Sequence, residues 1–291
     1  MKRQILNLLV GLLHAMARGL DRLIQALTGR RQMLQSGLAE RLAPVHEQGT
    51  AYGTIRLATP SEACLMRAET LFTKEPDMID WIDSFPEDFV LWDIGANVGI
   101  YSIYAGLKGG GRVFSFEPES ANYWVLNRNI HLNGLDGHCT AYCLPLSDRA
   151  GVTRLALHTT MIGDALHNLT GVDGLVDTAS THHQGAVTIT ADEAITTLGI
   201  PAPTHLKIDV DGAEALIIRG ATNLLRNPAL QSILVELDDI AVDPGLEVAN
   251  ALTDAGFVIA SSQASPIATG RFAAIRNYIY VRGDTVPPTD T

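Results

Sequence analysis

Four apolar runs in this chain end in the same way. "FVLWDIG" (89–95), "RVFSFEP" (112–118), "HLKIDVDG" (205–212) and "LQSILVELD" (230–238) each close on an acid near a turn: Asp93, Glu117, Asp209 and Glu236. Continuous apolar runs bounded by turn residues are the pattern of strands covered on both faces. Between and after them lie helical stretches: 98–107, stopped by "KGGG"; 121–132, with Ser120 placed to cap it; 213–227; and 246–255, ended by Gly256. "CTAYCLPLS" (139–147), "FVIAS" and "NYIYVRG" supply further strands, and "VTRLALH" (152–158) alternates like an exposed one. The alternation predicts an α/β, Rossmann-like fold, with a mostly parallel seven-stranded sheet and helices on both faces. Ligands on such sheets bind outside the carboxyl ends of the strands. The four acids therefore share one edge, where their charges repel unless a cation, a proton or hydrogen-bond donors meet them.

The chain's 291 residues, 46% hydrophobic and 18% charged, suit a globular protein with a sizeable core. Its net charge of −11 is uneven, since residues 1–50 hold seven Lys/Arg against three acids. The acidic remainder argues against nucleic acid as a partner. The first thirty residues place Ile5, Leu8, Leu9, Leu12, Leu13, Met16, Leu20, Leu23, Ile24 and Leu27 on one face of a helix. Arg18, Asp21 and Arg22 interrupt it too early for a membrane span. Lys2-Arg3, Ile5–Leu13 and Ala15-Met16-Ala17 have the order of a signal peptide, but the amphipathic period runs through the supposed cut. Such a helix packs on its own domain or on a second copy, or lies on a membrane surface. Four segments follow: a helical extension over 1–45, a lead-in segment over 46–88 with a turn at 58–60 and a short helix at 76–85, the main domain over 89–284, and a tail over 285–291. Cys64, Cys139 and Cys143 lack the partners of a zinc site, read best as buried or inert thiols, and fit a reducing, cytoplasmic setting.

The turn after the first strand, "GANVGI" (95–100), is not the G-x-G-x-x-G of a dinucleotide site, which weakens a nicotinamide oxidoreductase as the alternative. An acid-lined edge suits a cationic ligand rich in hydroxyls and without phosphate, and S-adenosylmethionine is such a ligand. Asp93 is expected to accept from its ammonium, with Gly95, Asn97 and Gly99 forming the close-approach turn. Glu117 sits where an acid grips ribose hydroxyls in nucleotide folds, and Pro118 is placed to pack on the nucleoside. Methyl transfer to an alcohol also needs a proton acceptor, for which Asp209 is the first candidate. Lys207 shares its face of the strand, as a catalytic partner or as an ion pair that orders the strand end, and Glu214 belongs to the same acidic group. A Mg²⁺ ion among Asp209, Asp211, Glu214 and Glu236 is the less favoured alternative. The segment 159–186 reads as a long loop, a lid or acceptor pocket, with His158, His167, His182 and His183 in or beside it. Glu75, before Pro76, reads as a turn residue.

"VLWDIGANVGIYSIYA", "VFSFEPE", Asn127, Asn129 and Asn133, "LPLSD" (144–148), "HLKIDVDGAE" and "ILVEL" together resemble the FkbM family of S-adenosylmethionine-dependent methyltransferases, in order over roughly 70–240. The resemblance implies a final antiparallel strand and O-methylation of a sugar, glycan or secondary metabolite. Ser147 of "LPLSD" joins the expected cofactor-binding set on that basis. Two positions depart from the family's usual pattern: Asp211 stands where members carry Glu, and Ala191 where they often carry Leu. The [DN]-P-P-[YF] of base amino-methylation is absent. A non-catalytic binding protein of the same fold, docked through its N-terminal helix, is the remaining alternative.

Overall fold

The period at the start of the chain folds as one helix, α1 (Lys2–Thr28), followed by α2 (Met33–Arg41). Asp21 joins them: its carboxylate accepts from the backbone N–H groups of Leu34 (2.8 Å) and Gln35 (3.1 Å) and from Gln35 Nε2 (2.7 Å). It thereby satisfies donors that the first turn of α2 leaves open. The computed structural model describes residues 2–31, 33–170 and 182–283. The chain divides into two units, Met1–Val45 and His46–Thr291.

At the start of the second unit, β1 (Val45–Thr50) and β2 (Gly53–Ala58) form a two-stranded sheet. Next come α3 (Glu62–Glu69), capped by Ser61 Oγ on the Cys64 N–H, and α4 (Pro76–Asp83), which carries its proline at the first position, where no donor is lost. Then follow β3 (Val90–Ile94), α5 (Ile100–Lys108), β4 (Arg112–Phe116), α6 (Ser120–Leu132) and β5 (Cys139–Tyr142). The chain continues through β6 (Gly151–Leu157), β7 (Asn168–Leu169), β8 (His182–Thr188), α7 (Ala191–Thr196), β9 (His205–Ile208), α8 (Glu214–Arg219) and α9 (Thr222–Leu225). It closes with β10 (Ser232–Asp238), α10 (Val242–Asp254), β11 (Phe257–Ala264) and β12 (Ile275–Arg282).

Seven strands make the main sheet in the order β11-β12-β10-β9-β3-β4-β5. The pairs β10–β9, β9–β3, β3–β4 and β4–β5 are parallel, and β12 alone runs against both neighbours. This is the Rossmann-like α/β architecture, with a late antiparallel strand, that the sequence implies. Chain order reverses between β3 and β9, so the crevice of an open parallel sheet opens there. The two-residue period of the strands divides the core. Leu91 and Leu234 face one layer with Met78, Ile82 and Tyr104; Trp92, Leu206 and Val235 face the other with Ile217, Leu224 and Leu252.

Several local readings are corrected. The segment 159–186 is not wholly loop: β7 and β8 pair antiparallel with β6, burying Leu155, Leu157 and Leu169 between them. Residues 171–181 lie outside the described residues. Ser120 does not cap α6. The Glu119 carboxylate, with its longer reach, accepts from the N–H groups of Ala121 (3.0 Å) and Asn122 (2.7 Å). The helix expected over 213–227 breaks at Gly220 into α8 and α9, and glycine is required there because a Cβ would lie 2.1 Å from the Ser147 carbonyl oxygen. Cys64 and Cys139 are buried, but Cys143 is exposed. The lead-in segment supplies Leu71, Met78 and Ile82 to the main core. Asn129 binds the Ala58 N–H and the Val98 carbonyl, and Asn133 binds the N–H and carbonyl of Arg56. Both asparagines thus act as strand partners for β2.

Asp192 ties α7 to α9 by accepting from the N–H groups of Asn223 and Leu224, each at 2.8 Å. Asp192→Ala is expected to lower stability by about 1 kcal/mol, the usual loss for a helix cap, read as a lower urea midpoint. An unchanged midpoint would show that water replaces the carboxylate without loss.

Candidate functional site

The sheet's floor is charged where the register puts it. Asp93 on β3 lies directly beside Lys207 on β9, and both side chains point into the layer that holds α5. Lys207 Nζ donates to Asp93 Oδ1 (2.8 Å) and lies 3.4 Å from Asp209 Oδ2. Ser102 Oγ on α5 donates to Asp93 Oδ2 (2.5 Å). Burial alone would strip the Lys207 proton, but Asp93 and Asp209 more than offset it and hold the ammonium well above its ordinary value. Asp209 is likewise pushed up by burial and pulled down further by Lys207, Lys74 and Arg67, so its carboxylate sits below the usual range. Both carboxylate oxygens of Asp93 are thus engaged within the fold.

Above this floor lies a cavity of about 440 Å³ at the carboxyl ends of β3, β4, β9 and β10, within the range of small-molecule sites. Gly95, Asn97, Glu117, Pro118 and Asp209 line it as expected. Gly95 has φ +77, and a Cβ there would lie 1.7 Å from the Asp209 carbonyl oxygen, so no other residue fits. Glu117 is 5% exposed, and both its oxygens take backbone donors: Asn97 N–H on Oε2 (2.7 Å) and Glu119 N–H on Oε1 (2.8 Å). Burial pushes its carboxyl up to about 7, against the downward pull of those donors.

Five expected site residues stand elsewhere. Asp93 and Lys207 lie beneath the cavity floor rather than on it. Gly99 starts α5 at φ +79, where a Cβ would meet Leu126 Cδ1 at 2.1 Å, so its part is packing. Glu214 Oε1 accepts from Gly212 N–H (3.0 Å) and Val210 N–H (3.4 Å); it closes the turn that carries Asp211. Burial, the largest influence, raises its carboxyl to about 7. Ser147 is buried, with its N–H on the Ile189 carbonyl, and does not reach the cavity.

The lead-in segment contributes more than its turn reading allowed. Glu75 is 2% exposed, lines the cavity, pairs with Lys74 Nζ, and accepts from Tyr101 Oη (2.6 Å). Arg67, on α3, also lines the cavity and donates from Nε to the Gly163 carbonyl (2.7 Å). Opposite them, burial pushes Glu236 well above the carboxylate range, with the charges of Asp209 and Glu75 adding to it. The stretch 161–166 roofs the cavity. Asn97 Nδ2 and Asn122 Nδ2 donate to the Asp164 carbonyl (2.7 and 3.2 Å), and Leu166 N–H donates to Asp211 Oδ2 (2.7 Å). His167 lines the cavity, with burial lowering its pKa, while His182 and His183 lie on β8. Asn122 was the detectable omission: a polar residue at the inward helical spacing of Val125, Leu126 and Asn129. An apolar recess of about 40 Å³ adjoins at Gly95, Pro118, His167 and Val210. Among the described residues, no group of three or more His, Cys, Asp and Glu side chains converges to hold a metal ion.

Residues 93–259, more than half of the chain, match the Methyltransferase FkbM domain. The hexuronic acid methyltransferase AglP of Haloferax volcanii is 27% identical over 168 residues, covering 56% of this chain and 61% of that protein. The 31-O-demethyl-FK506 methyltransferase FkbM of Streptomyces tacrolimicus is 27% identical over 235 residues, covering 72% of this chain and 87% of its own. The methyltransferase sdnD of Sordaria araneosa is 25% identical over 199 residues, covering 57% and 77%. The chain thus spans about three fifths of the first relative's length and more of the other two.

Removing one partner of a buried ion pair strands the other charge. Lys207→Met is expected to lose about 3–5 kcal/mol in denaturant unfolding, and the double change Asp93→Asn/Lys207→Met distinctly less. A single variant that loses under about 1 kcal/mol, as exposed pairs do, would mean that the pair is not what holds β3 to β9.

Proposed function

Because the chain belongs to the FkbM methyltransferase family, we propose that it moves a methyl group from S-adenosylmethionine to a hydroxyl oxygen of a sugar, glycan or secondary metabolite. What carries this reading is Glu117: a buried carboxylate at the end of β4, held by two backbone donors, facing the cavity beside Gly95. S-adenosylmethionine, when bound, supplies an electrophilic methyl carbon on a sulfonium. Glu117 accepts from the ribose hydroxyls, and Pro118 and Val210 pack on the base next to the apolar recess. Asn97 and Gly95 bring backbone close to the amino-acid part. The ammonium is met by Glu75 at the cavity rather than by Asp93, whose oxygens are already taken.

Asp209 takes the acceptor's proton. Lys207 keeps it ionised and fixes its direction, which makes Lys207 a positioning residue. Glu236 stays protonated and donates a hydrogen bond to the acceptor, which lies against residues 267–275 and Arg67. Glu214 shapes the 210–212 turn and takes no part in proton transfer. The roof over Asp164 and Leu166 excludes water from the line of transfer. The acceptor is a small molecule or glycan and not a nucleic acid, which the acidic body would repel. AglP's name, a hexuronic acid methyltransferase, favours the glycan side of that pair. Residues 1–30 serve contact rather than chemistry, with a membrane surface or a second copy as their partner, in a cytoplasmic setting.

The donated ribose hydroxyls require ionised Glu117, so binding releases a proton below the carboxyl's value of about 7. Affinity for S-adenosylmethionine, read by calorimetry, is expected to rise by up to roughly tenfold per pH unit below 7 and then level off. In Glu117→Gln the binding should be weak and the slope gone. A pH-independent affinity in the native protein would remove Glu117 from the ribose. With a hydroxylated acceptor in hand, Asp209→Asn is expected to lower kcat by about 10²–10⁴ while cofactor affinity changes little. Full turnover in that variant would pass the role to another group.

A further inference from the structure

The helix α1 presents an apolar face that is largely open among its described side chains. Ile5, Leu9, Leu12, Met16, Leu23 and Leu27 are each more than half exposed, and they recur at helical spacing. At 100° per residue the apolar arc covers roughly 160° of the helix. Its opposite side carries exposed Arg18 and Arg22, and exposed Arg30 and Arg31 follow directly. The helix has a single acid, Asp21, and that acid is withdrawn. It is 5% exposed, with both oxygens occupied by the start of α2. The charge that α1 shows to its surroundings is therefore cationic. No described helix is long and apolar enough to cross a membrane.

We propose that α1 lies in the plane of an anionic lipid surface, its apolar face inserted below the headgroups and its arginines among them. A wide apolar arc with arginines on the polar face is what an interfacial helix requires. Charge selects the partner. The rest of the chain is strongly acidic, so attraction to anionic lipid has to come through this helix. A second copy fits less well. A coiled-coil seam running through Ile5, Leu9, Leu12 and Met16 continues through Gly19, Leu23, Ala26 and Arg30, which gives it two small residues and a cation. The arc is also wider than such a seam, and pairing would bring like charges together.

The test uses the full-length protein in vesicle flotation, with vesicles of phosphatidylcholine alone or mixed with phosphatidylglycerol. Binding to the mixed vesicles is expected to exceed binding to the neutral ones by at least roughly tenfold, at about 1 kcal/mol per basic residue, and to weaken with added salt. Leu12→Glu/Met16→Glu should abolish binding to both. Arg18→Glu/Arg22→Glu should remove the preference for anionic lipid. Thermal unfolding of each variant shows that the fold is intact, independently of any cofactor. Failure of the native protein to float with either vesicle overturns the proposal. So does equal binding to both, and so does a dimer in light scattering that Leu12→Glu dissolves while vesicle binding is absent.

Discussion

Lys207 is the group on which the site depends. A lone ammonium buried between two parallel strands would be intolerable. It is tolerated because β3 and β9 bring Asp93 alongside it and Asp209 just beyond. The cation in turn meets two carboxylates and holds that of Asp209 below the usual range against the upward push of burial. One of these, Asp93, is spent on the fold. The other, Asp209, stands at the cavity with its charge assured. Burial, with the charges of Asp209 and Glu75, works in the opposite sense on Glu236 and drives it toward its protonated form. Two acids at neighbouring strand ends are thus driven in opposite directions, Asp209 downward by Lys207 and Glu236 upward by burial and its acidic neighbours.

Much of this could be read from the residues. The four acids at strand ends, the turn at 95–100 and the alternation of strand and helix led to the correct sheet and to the correct edge of it. What could not be read was which of two acids at neighbouring strand ends would be reached by solvent and which would be sealed. Asp93 and Asp209 look alike in the sequence. They differ because Ser102 arrives from α5 to complete the shell around Asp93 alone. Glu214 looked like part of the acidic group, but its reach is consumed by the amides of 210 and 212. Ser147 and Gly99 fell at suggestive places in their motifs and serve packing. Such outcomes turn on a few ångströms of side-chain direction, which spacing does not encode.

The converse errors came from segments with weak periodicity. Lys74 and Glu75 belong to a short stretch that reads as a turn, yet tertiary packing carries both to the cavity wall. The polar stretch after β6 has the composition of a loop, but Leu169 joins Leu155 and Leu157 of β6 in a small buried cluster and β8 pairs along the whole of β6, enough to form a sheet. Its first part, at Asp164 and Leu166, lines the cavity as the roof, fixed by Asn97, Asn122 and Asp211. The departure at Asp211 keeps a carboxylate where one is needed to hold Leu166.

Glu117 differs from an ordinary binding carboxylate in how little it can move. Each oxygen already holds a backbone N–H, so the side chain has one orientation before anything arrives. A flexible glutamate would surrender rotamer freedom on meeting a hydroxyl. This one surrenders almost none, and the entropy of association falls on the incoming molecule alone. In its proposed role at a ribose, Glu117 therefore discriminates sterically: a nucleoside whose hydroxyls lie at the wrong spacing finds no side chain able to swing toward it.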